Sequence, residues 1–173
     1  MFSRIVIFSL SFCLTVAYNL NSPSGATTQV TCGNGQSQEY IRIGEKYYFL
    51  GETSVNWYEA AHICRRLGGN LALIETAEEW QNISDYLTLN RSNDFFWISG
   101  DDFVNVFDYV SLTNGLSLNF TAWSSGEPNN PGIEHCIHLW NKEGGFTMNN
   151  WVCTNLAHYI CQREDYTRCW DGY

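Results

Sequence analysis

Positive charge is scarce in this sequence. Its 173 residues include 9 Lys and Arg against 18 Asp and Glu, which gives a formal net charge of −9. Phosphate repels a chain of this charge, so the composition excludes nucleic acid and anionic membrane surfaces as partners. The sequence also lacks a collagen repeat and a coiled-coil segment. Any oligomer would therefore form through the folded domain or a short arm.

Long apolar runs are also missing, except at the N-terminus. Residues 5–16 form an apolar run behind Arg4, and a small residue, Ala17, follows it. This pattern is typical of a cleaved secretory signal, so we assign residues 1–17 to a signal peptide and expect a secreted, extracellular protein. The run is shorter than an ordinary membrane span, although a retained anchor is the alternative. No other stretch of the sequence could cross a bilayer.

The sequence has no Cys-x-x-Cys pair, which is a frequent signature of zinc sites. Cys13 leaves with the signal peptide, and the even number that remains in a secreted chain indicates disulfides, in a pairing that spacing alone does not fix. His135 and His138 flank Cys136 and are the competing zinc ligands, but secretion favours a disulfide there. The remaining cysteines are Cys32, Cys64, Cys136, Cys153, Cys161 and Cys169.

The chain is long enough for one domain with a packed core, because 45% of its residues are hydrophobic. We expect a loose polar arm at residues 18–38, the domain at residues 39–165 and a C-terminal tail at residues 166–173. An alternating aromatic segment opens the domain. It predicts two strands joined by a turn at Gly44 and Glu45.

Two amphipathic helices are predicted next. The first is capped by Thr53 or Ser54 and ends at Gly68 and the glycine after it. The second begins with a capping box, in which Thr76 caps the helix and Glu79 reaches back, and it continues for about three turns. The apolar faces are Trp57, Ala60, Ala61, Cys64 and Leu67 in the first helix, and Trp80, Ile83 and Leu87 in the second.

Short strands replace the helical periodicity after Asp94. Because these segments are short, apolar and bounded by turn residues, they predict strands rather than helices. Two early helices followed by many short strands and long loops predict an α+β domain. Residues 71–74, before the second helix, are predicted as a strand or an extended segment. The strands predicted after Asp94 are residues 95–98, 109–110, 119–120, 137–140, 146–153 and 158–162, with a turn at 141–145.

Ligands for a hard cation are concentrated in the loop that precedes Cys136. Glu127 and Glu134 supply carboxylates, and Asn129 and the asparagine after it supply carboxamides. Carboxylate and amide oxygens are the ligands that calcium prefers. A cis peptide bond at Pro128 would bring Glu127 and Asn129 side by side. The alternative is a disordered acidic loop that contains these residues by chance.

Three Asn-x-Ser/Thr sequons begin at Asn82, Asn90 and Asn119. Each predicts an N-glycosylation site in a secreted protein. On a helical wheel Asn82 lies about 200° from Trp80, so we expect it to face solvent and to carry a glycan.

Five motifs in order resemble the C-type lectin-like domain, and the resemblance covers about residues 40–163. One such motif would be weak evidence, but five in the family's order are strong evidence. The layout is similar to that of small secreted insect-type lectins. The motifs are the first helix at 57–64, the Leu-Gly-Gly segment at 67–72, the Trp-Ile-Gly-like strand at 96–100, the Glu-Pro-Asn motif at 127–129, and Cys136, Cys153 and Cys161.

The resemblance implies two helices packed on short antiparallel sheets, with long calcium- and sugar-binding loops. It also implies the disulfides Cys64–Cys161 and Cys136–Cys153, which leaves Cys32 to pair with Cys169. That last pair would join the N-terminal arm to the C-terminal tail. Each bridge that closes a long loop would stabilise the domain by about 3–4 kcal/mol in the chain-entropy model.

The resemblance further implies a calcium-dependent sugar site. In the family, two neighbouring sugar hydroxyls bind calcium, and each also donates to a carboxylate and accepts from a carboxamide. The Glu-Pro-Asn order implies a preference for mannose, fucose, glucose or N-acetylglucosamine over galactose. The expected partners are mannose-type glycans on cell-surface, microbial or secreted glycoproteins. The calcium and sugar ligands carried over are Glu127, Asn129, Glu134, Asn149 and Asn150.

The ligand set departs from the family pattern at two places. Asn150 stands where the family has Asp, which removes one negative charge, so we expect a weaker calcium site that Asn150→Asp would tighten. Of the three carboxylates that hold an auxiliary calcium in the family, only Asp102 is matched, because Val106 and His135 occupy the other two places. We therefore expect one calcium ion rather than two.

Two other classes of function compete with a lectin. A glycosidase could use Glu127 and Glu134 as paired carboxylates, but calcium binding already accounts for both, so we do not expect an enzyme. A domain of the same fold could instead bind a protein partner without calcium or sugar. Many such domains drop the Glu-Pro-Asn motif, which this chain keeps.

Overall fold

The computed structural model describes residues 27–31, 37–129, 132–142 and 144–163. Two helices near the start and a largely antiparallel sheet completed by the last four strands match the α+β class, which confirms that prediction. The predicted signal peptide, the predicted tail, Asn130 and the predicted Cys32–Cys169 pair lie outside the described residues. The elements are β1 Thr27–Thr31, β2 Ser37–Ile43, β3 Lys46–Val55, α1 Trp57–Arg66, β4 Asn70–Leu71, α2 Ala77–Asn90, β5 Phe96–Asp101, β6 Glu134–Asn141, β7 Phe146–Val152 and β8 Ala157–Arg163.

The strands form one sheet around the C-terminal strand. Their order is β1-β2-β3-β8-β5-β6-β7, and β4 pairs with β8 beside this path. Strand β8 is antiparallel to β3 and parallel to β5. It therefore connects the N-terminal strands to the part of the sheet formed by β5, β6 and β7. The predicted ligands Asn149 and Asn150 lie on β7, at the end of this strand order.

Helix α1 begins later than predicted. Its N-cap is Asn56, whose Oδ1 accepts a hydrogen bond from the Glu59 N–H at 2.9 Å. The predicted caps, Thr53 and Ser54, belong to β3, because that strand continues past them to pair with β8. The predicted end of the helix is confirmed, since Gly68 follows it with a φ of 75°, a conformation that favours glycine.

Helix α2 begins at the predicted cap but is longer than predicted. The Thr76 Oγ1 accepts from the Glu79 N–H at 3.1 Å, and the helix continues for 14 residues. The Glu79 carboxylate reaches back one residue beyond the cap, where it accepts from the Glu75 N–H at 3.0 Å. It also accepts from Lys46 at 3.0 Å and from the Tyr48 hydroxyl at 2.5 Å. This network fixes α2 against the β2–β3 hairpin.

The core has two parts. One lies between α2 and the sheet and includes Ile83, Leu87 and Phe96. The other lies under α1 around Trp57 and Trp97, and it contains two disulfides that join the pairs implied by the resemblance. In these disulfides the sulfur–sulfur distance is 1.99 Å for Cys64–Cys161 and 2.07 Å for Cys136–Cys153.

Three local predictions are wrong. The arm is not wholly loose, because Thr27–Thr31 is a strand that pairs with β2. Residues 119–120 do not form a strand, and Val110 makes only isolated bridges, to Asp101 and Ser117. The region between β5 and β6 is instead held by scattered backbone hydrogen bonds, such as Leu118 N–H to Tyr109 C=O at 3.0 Å. None of the helices in the described ranges is long and apolar enough to cross a membrane.

Candidate calcium and sugar site

The Glu-Pro-Asn loop is attached to strand β7 at its start. Trp123 forms a bridge with Met148, and the Ser124 N–H donates to the Met148 C=O at 2.9 Å. The Glu127 N–H then turns back to the Ser124 C=O at 3.0 Å. The loop therefore leaves β7 in a fixed direction immediately before the predicted ligands.

Glu127 and Asn129 lie side by side, as the sequence predicts. The peptide bond between Glu127 and Pro128 is cis. The Asn129 backbone N–H donates to Glu127 Oε2 at 3.1 Å, and its Nδ2 donates to Glu127 Oε1 at 3.0 Å. Asn129 is exposed and Glu127 is half-buried. An acceptor and a donor are thus presented together at the surface, which is the pair of groups that a sugar hydroxyl requires.

Asn150 connects the two sides of the loop. Its side chain is fully buried, its Oδ1 accepts from the Asn129 N–H at 3.2 Å, and its Nδ2 donates to the Glu134 C=O at 3.0 Å. An ionised aspartate has no hydrogen to donate, so it could not make the second bond. The departure from the family's Asp therefore has a structural role that the sequence does not reveal.

Glu134 brings the second carboxylate to the same place. Burial raises the pKa of the Glu134 carboxyl, and the Glu127 carboxylate raises it further. The two acidic groups are thus close enough to repel each other. A cation between them would relieve that repulsion. The residues Glu127, Asn129, Glu134, Asn149 and Asn150 are called the principal cluster below.

Asn149 leaves a buried oxygen without a partner. Its Nδ2 lies 2.9 Å from Nε2 of His138, while its Oδ1 has no hydrogen-bond partner among the described residues. A buried carboxamide oxygen normally has a partner, so an unpaired one suits a calcium ligand. The donor set and this oxygen fit calcium.

Sequence reasoning considered His138 only as a competing zinc ligand and did not connect it with the calcium and sugar ligands. It is 2% exposed and is surrounded by the rings of Phe95, Trp97, Trp140 and Trp151, with centroids 4.9 to 5.8 Å away. Burial lowers its pKa to about 3, and its Nδ1 has no hydrogen-bond partner among the described residues. The β6–β7 register could have identified it, because that register places His138 opposite Asn149.

The alternative of a zinc site around Cys136 is wrong. Cys136 is bonded to Cys153, His138 contacts Asn149, and His135 contacts Asp102. Among the described residues, no group of three or more His, Cys, Asp or Glu side chains is arranged to hold a metal ion. The principal cluster is of a different kind, because it combines two carboxylates with carboxamides.

Asp102 is engaged by protein donors. It is 1% exposed, its Oδ1 lies 2.7 Å from Nδ1 of His135, and its Oδ2 accepts from the Phe107 N–H at 2.8 Å. Phe107 has a φ of 68°, which is uncommon for a bulky residue. Asp102, His135 and the Phe107 N–H are called the auxiliary cluster below. His135 thus occupies the place where the family pattern has a third carboxylate.

An apolar surface lies beside the auxiliary cluster. Phe103, Val104, Val106 and Phe107 form an apolar loop whose side chains are between 48% and 77% exposed. Phe103 stacks on Tyr58 of α1, with ring centroids 6.2 Å apart. A groove of about 300 Å³ opens there, lined by Trp57, Tyr58, Ala61, His62, Arg65, Asp101, Phe103 and Leu112.

The three sequons differ in exposure. Asn82 is half-buried rather than fully exposed, because the β2–β3 turn lies against it: a Cβ at Gly44 would lie 3.1 Å from its Nδ2. Ser84 of that sequon is buried and accepts from the Phe146 N–H at 2.8 Å. Asn90 and Asn119 are exposed. Use of the three sequons stays a prediction.

Comparisons with known proteins agree on one family. The family model described as "Lectin C-type domain" matches residues 53–163. C-type lectin 37Db of Drosophila melanogaster is 37% identical over 123 residues, which cover 70% of this chain and 80% of that protein. A C-type lectin mannose-binding isoform of Notechis scutatus scutatus is 38% identical over 166 residues, which cover 92% and 97%. A solved structure is also similar: the cow C-type carbohydrate-recognition domain of CD23, in the presence of GlcNAc2Man3 oligosaccharide, is 27% identical with a TM-score of 0.62 and coverage of 75% and 95%.

Proposed function

The chain belongs to the C-type lectin domain family, and from that premise we propose that it is a secreted lectin that binds mannose-type glycans through one calcium ion. Members of the family bind carbohydrate and are not enzymes, so the glycosidase alternative is excluded. The observation that carries the proposal is the contact between the Glu127 carboxylate and the Asn129 carboxamide at an exposed loop.

The principal cluster supplies the hydrogen bonds that a vicinal diol needs. The carboxylate of Glu127 accepts from one hydroxyl, and the Asn129 Nδ2 donates to it. Glu134 accepts from the second hydroxyl. The Asn149 Nδ2 carries two hydrogens, of which one faces His138, so the other is available to donate to this hydroxyl. Bound calcium would supply a positive charge that both hydroxyl oxygens contact.

The charge of the cluster supports weak binding of a single ion. Only Glu127 and Glu134 bring negative charge, and calcium affinity follows the number of charged ligands. At the auxiliary cluster His135 and the Phe107 N–H already contact both oxygens of Asp102. We therefore expect no second ion. One weak sugar site acts most effectively in multivalent display, on glycans of cell-surface, microbial or secreted glycoproteins.

Mannose is the proposed sugar class because the Glu-Pro-Asn order is retained. The Notechis relative carries "mannose-binding" in its name, and the CD23 structure was determined with a mannose-containing oligosaccharide. Both facts concern those proteins and support the proposal for this chain. Fucose, glucose and N-acetylglucosamine present a similar diol, whereas the axial 4-hydroxyl of galactose does not.

Chromatography on mannan-agarose tests the proposal. We expect retention in calcium, elution by EDTA or free mannose, and no elution by free galactose. The variant Glu127→Gln with Asn129→Asp exchanges acceptor and donor, so its preference should move from mannose to galactose by about tenfold, the value of one hydrogen bond to a charged group. The pair Glu78→Gln with Asn105→Asp makes the same exchange at exposed positions outside the cluster and should behave as wild type. Unchanged mannose binding in the first variant would show that this loop does not hold the sugar.

A second candidate is a protein-binding domain that needs neither calcium nor sugar. The apolar loop and its groove favour it, because contiguous exposed apolar surface often marks a site of protein contact. The same column distinguishes the two functions. Failure of the wild type to bind mannan in calcium, together with calcium-independent capture of a protein that is lost in Phe103→Ser, would favour this alternative.

A further inference from the structure

His138 lies on β6, between β5, which contributes to the core, and β7, which contributes to the principal cluster. The register of the sheet pairs it with Asn149 on β7 and with Trp97 on β5. Its side chain is 2% exposed, and the Asn149 side chain faces it at 2.9 Å. The imidazole thus forms a polar contact inside an otherwise aromatic cluster. Asn149 is the one residue of the principal cluster that this contact involves.

The chemistry of this contact decides which atom of Asn149 is free. A neutral imidazole has one N–H donor and one acceptor nitrogen. The Asn149 Nδ2 has only hydrogens to offer, so Nε2 of His138 is the acceptor and the ring proton lies on Nδ1, which is buried without a hydrogen-bond partner among the described residues. The Asn149 Oδ1 then remains unpaired among the described residues. In the opposite tautomer Nε2 would donate to Oδ1, and the free group would be an NH₂, which cannot bind a cation.

We propose that His138 is a positioning residue, which holds the Asn149 carboxamide with its oxygen free to bind calcium. This inference rests on the proposed function, because it requires that Asn149 binds calcium. His138 itself touches neither the ion nor the sugar. Residues that orient metal ligands from behind typically change metal affinity by about 10–100-fold when they are replaced. His138 acts on calcium affinity only through Asn149.

Calcium alone is the probe, and calorimetry is the measurement. His138→Phe keeps a ring in the aromatic cluster but removes the acceptor, so its calcium Kd should rise by about tenfold. His138→Gln can still present an acceptor oxygen and should retain most of the affinity. The matched control is His158→Phe, at a half-buried histidine that contacts Gly51 and Phe96 instead of the cluster, and it should leave the Kd unchanged. Rescue by Gln separates positioning from a general loss of packing.

The outcomes distinguish this inference from the proposed function. A wild type that binds no calcium overturns both. A wild type that binds calcium while His138→Phe binds equally well overturns this inference alone. If His138→Phe does not fold, the two ring nitrogens of His138 are observed in the folded wild type by ¹H–¹⁵N NMR. A proton on Nδ1 and none on Nε2 supports the inference, and a proton on Nε2 overturns it.

Discussion

The acidic groups of the principal and auxiliary clusters have opposite surroundings. In the auxiliary cluster both oxygens of Asp102 contact protein groups, namely His135 and the Phe107 N–H. In the principal cluster burial and then the Glu127 carboxylate raise the pKa of Glu134, and Asn149 keeps a buried oxygen unpaired. A carboxylate that is satisfied by its own protein gains little from a cation. Two carboxylates that repel each other are stabilised most by a cation that binds between them.

The largest effect should come from removing the protein partner of Asp102. His135→Asp places a second carboxylate against a fully buried one, so in EDTA the free energy of unfolding should fall by about 3 kcal/mol. Denaturant unfolding measures it. His62→Asp makes the same substitution at an exposed site and is the control. If His135→Asp is as stable as His62→Asp, the auxiliary cluster does not depend on this contact.

A smaller, two-sided effect is expected from Asn150→Asp. In EDTA the variant loses the bond from Nδ2 to the Glu134 C=O and buries a charge, so unfolding should become easier by about 1–3 kcal/mol. In calcium the added charge should tighten binding of the ion. Thermal unfolding in EDTA and calorimetry in calcium measure the two parts, with Asn105→Asp as the exposed control. An unchanged or weaker calcium affinity would contradict this view of the ligand set.

The smallest effect is calcium binding to the wild type itself. At a calcium concentration about ten times the Kd, the free energy of unfolding should rise by about 1.4 kcal/mol. Asp102→Asn should retain this gain, because the auxiliary cluster is not expected to bind calcium. Glu134→Gln should lose it. The comparison of the two clusters fails if Asp102→Asn loses the gain as well, or if calorimetry finds two ions per chain.

The sequence predicted the parts that depend on neighbouring residues. The pairing of Glu127 with Asn129, the cap at Thr76 and the stop at Gly68 are local features, and each could be recognised within a few positions. The α1 cap could not, because Thr53 and Ser54 lie in β3 between Gly51 and Val55, which pair with β8, and the residues of β8 come a hundred positions later. A wheel drawn for one helix likewise omits the turn at Gly44, which lies against Asn82.

The two least predictable features of the site are contacts between strands. The bond from Asn150 to the Glu134 C=O depends on a register shift between Glu134 and Cys136 in the β6–β7 pairing. The contact of His138 with Asn149 depends on the same register. Residue identity alone suggested zinc for His138 and a weakened ligand for Asn150. Only the positions across the sheet show that one orients Asn149 and the other connects the loop.

The position of β8 has a consequence for how the protein is made. Of the strands in the described residues this one is synthesised last, yet it lies between β3 and β5. The halves of the sheet therefore cannot join until the ribosome has released residues 157–163, and until then β3 and β5 each expose an unpaired edge. A chain terminated after Cys153 would contain every residue of the principal cluster. It would still lack the strand that joins the halves, so a message truncated there would encode all the ligands and no stable lectin.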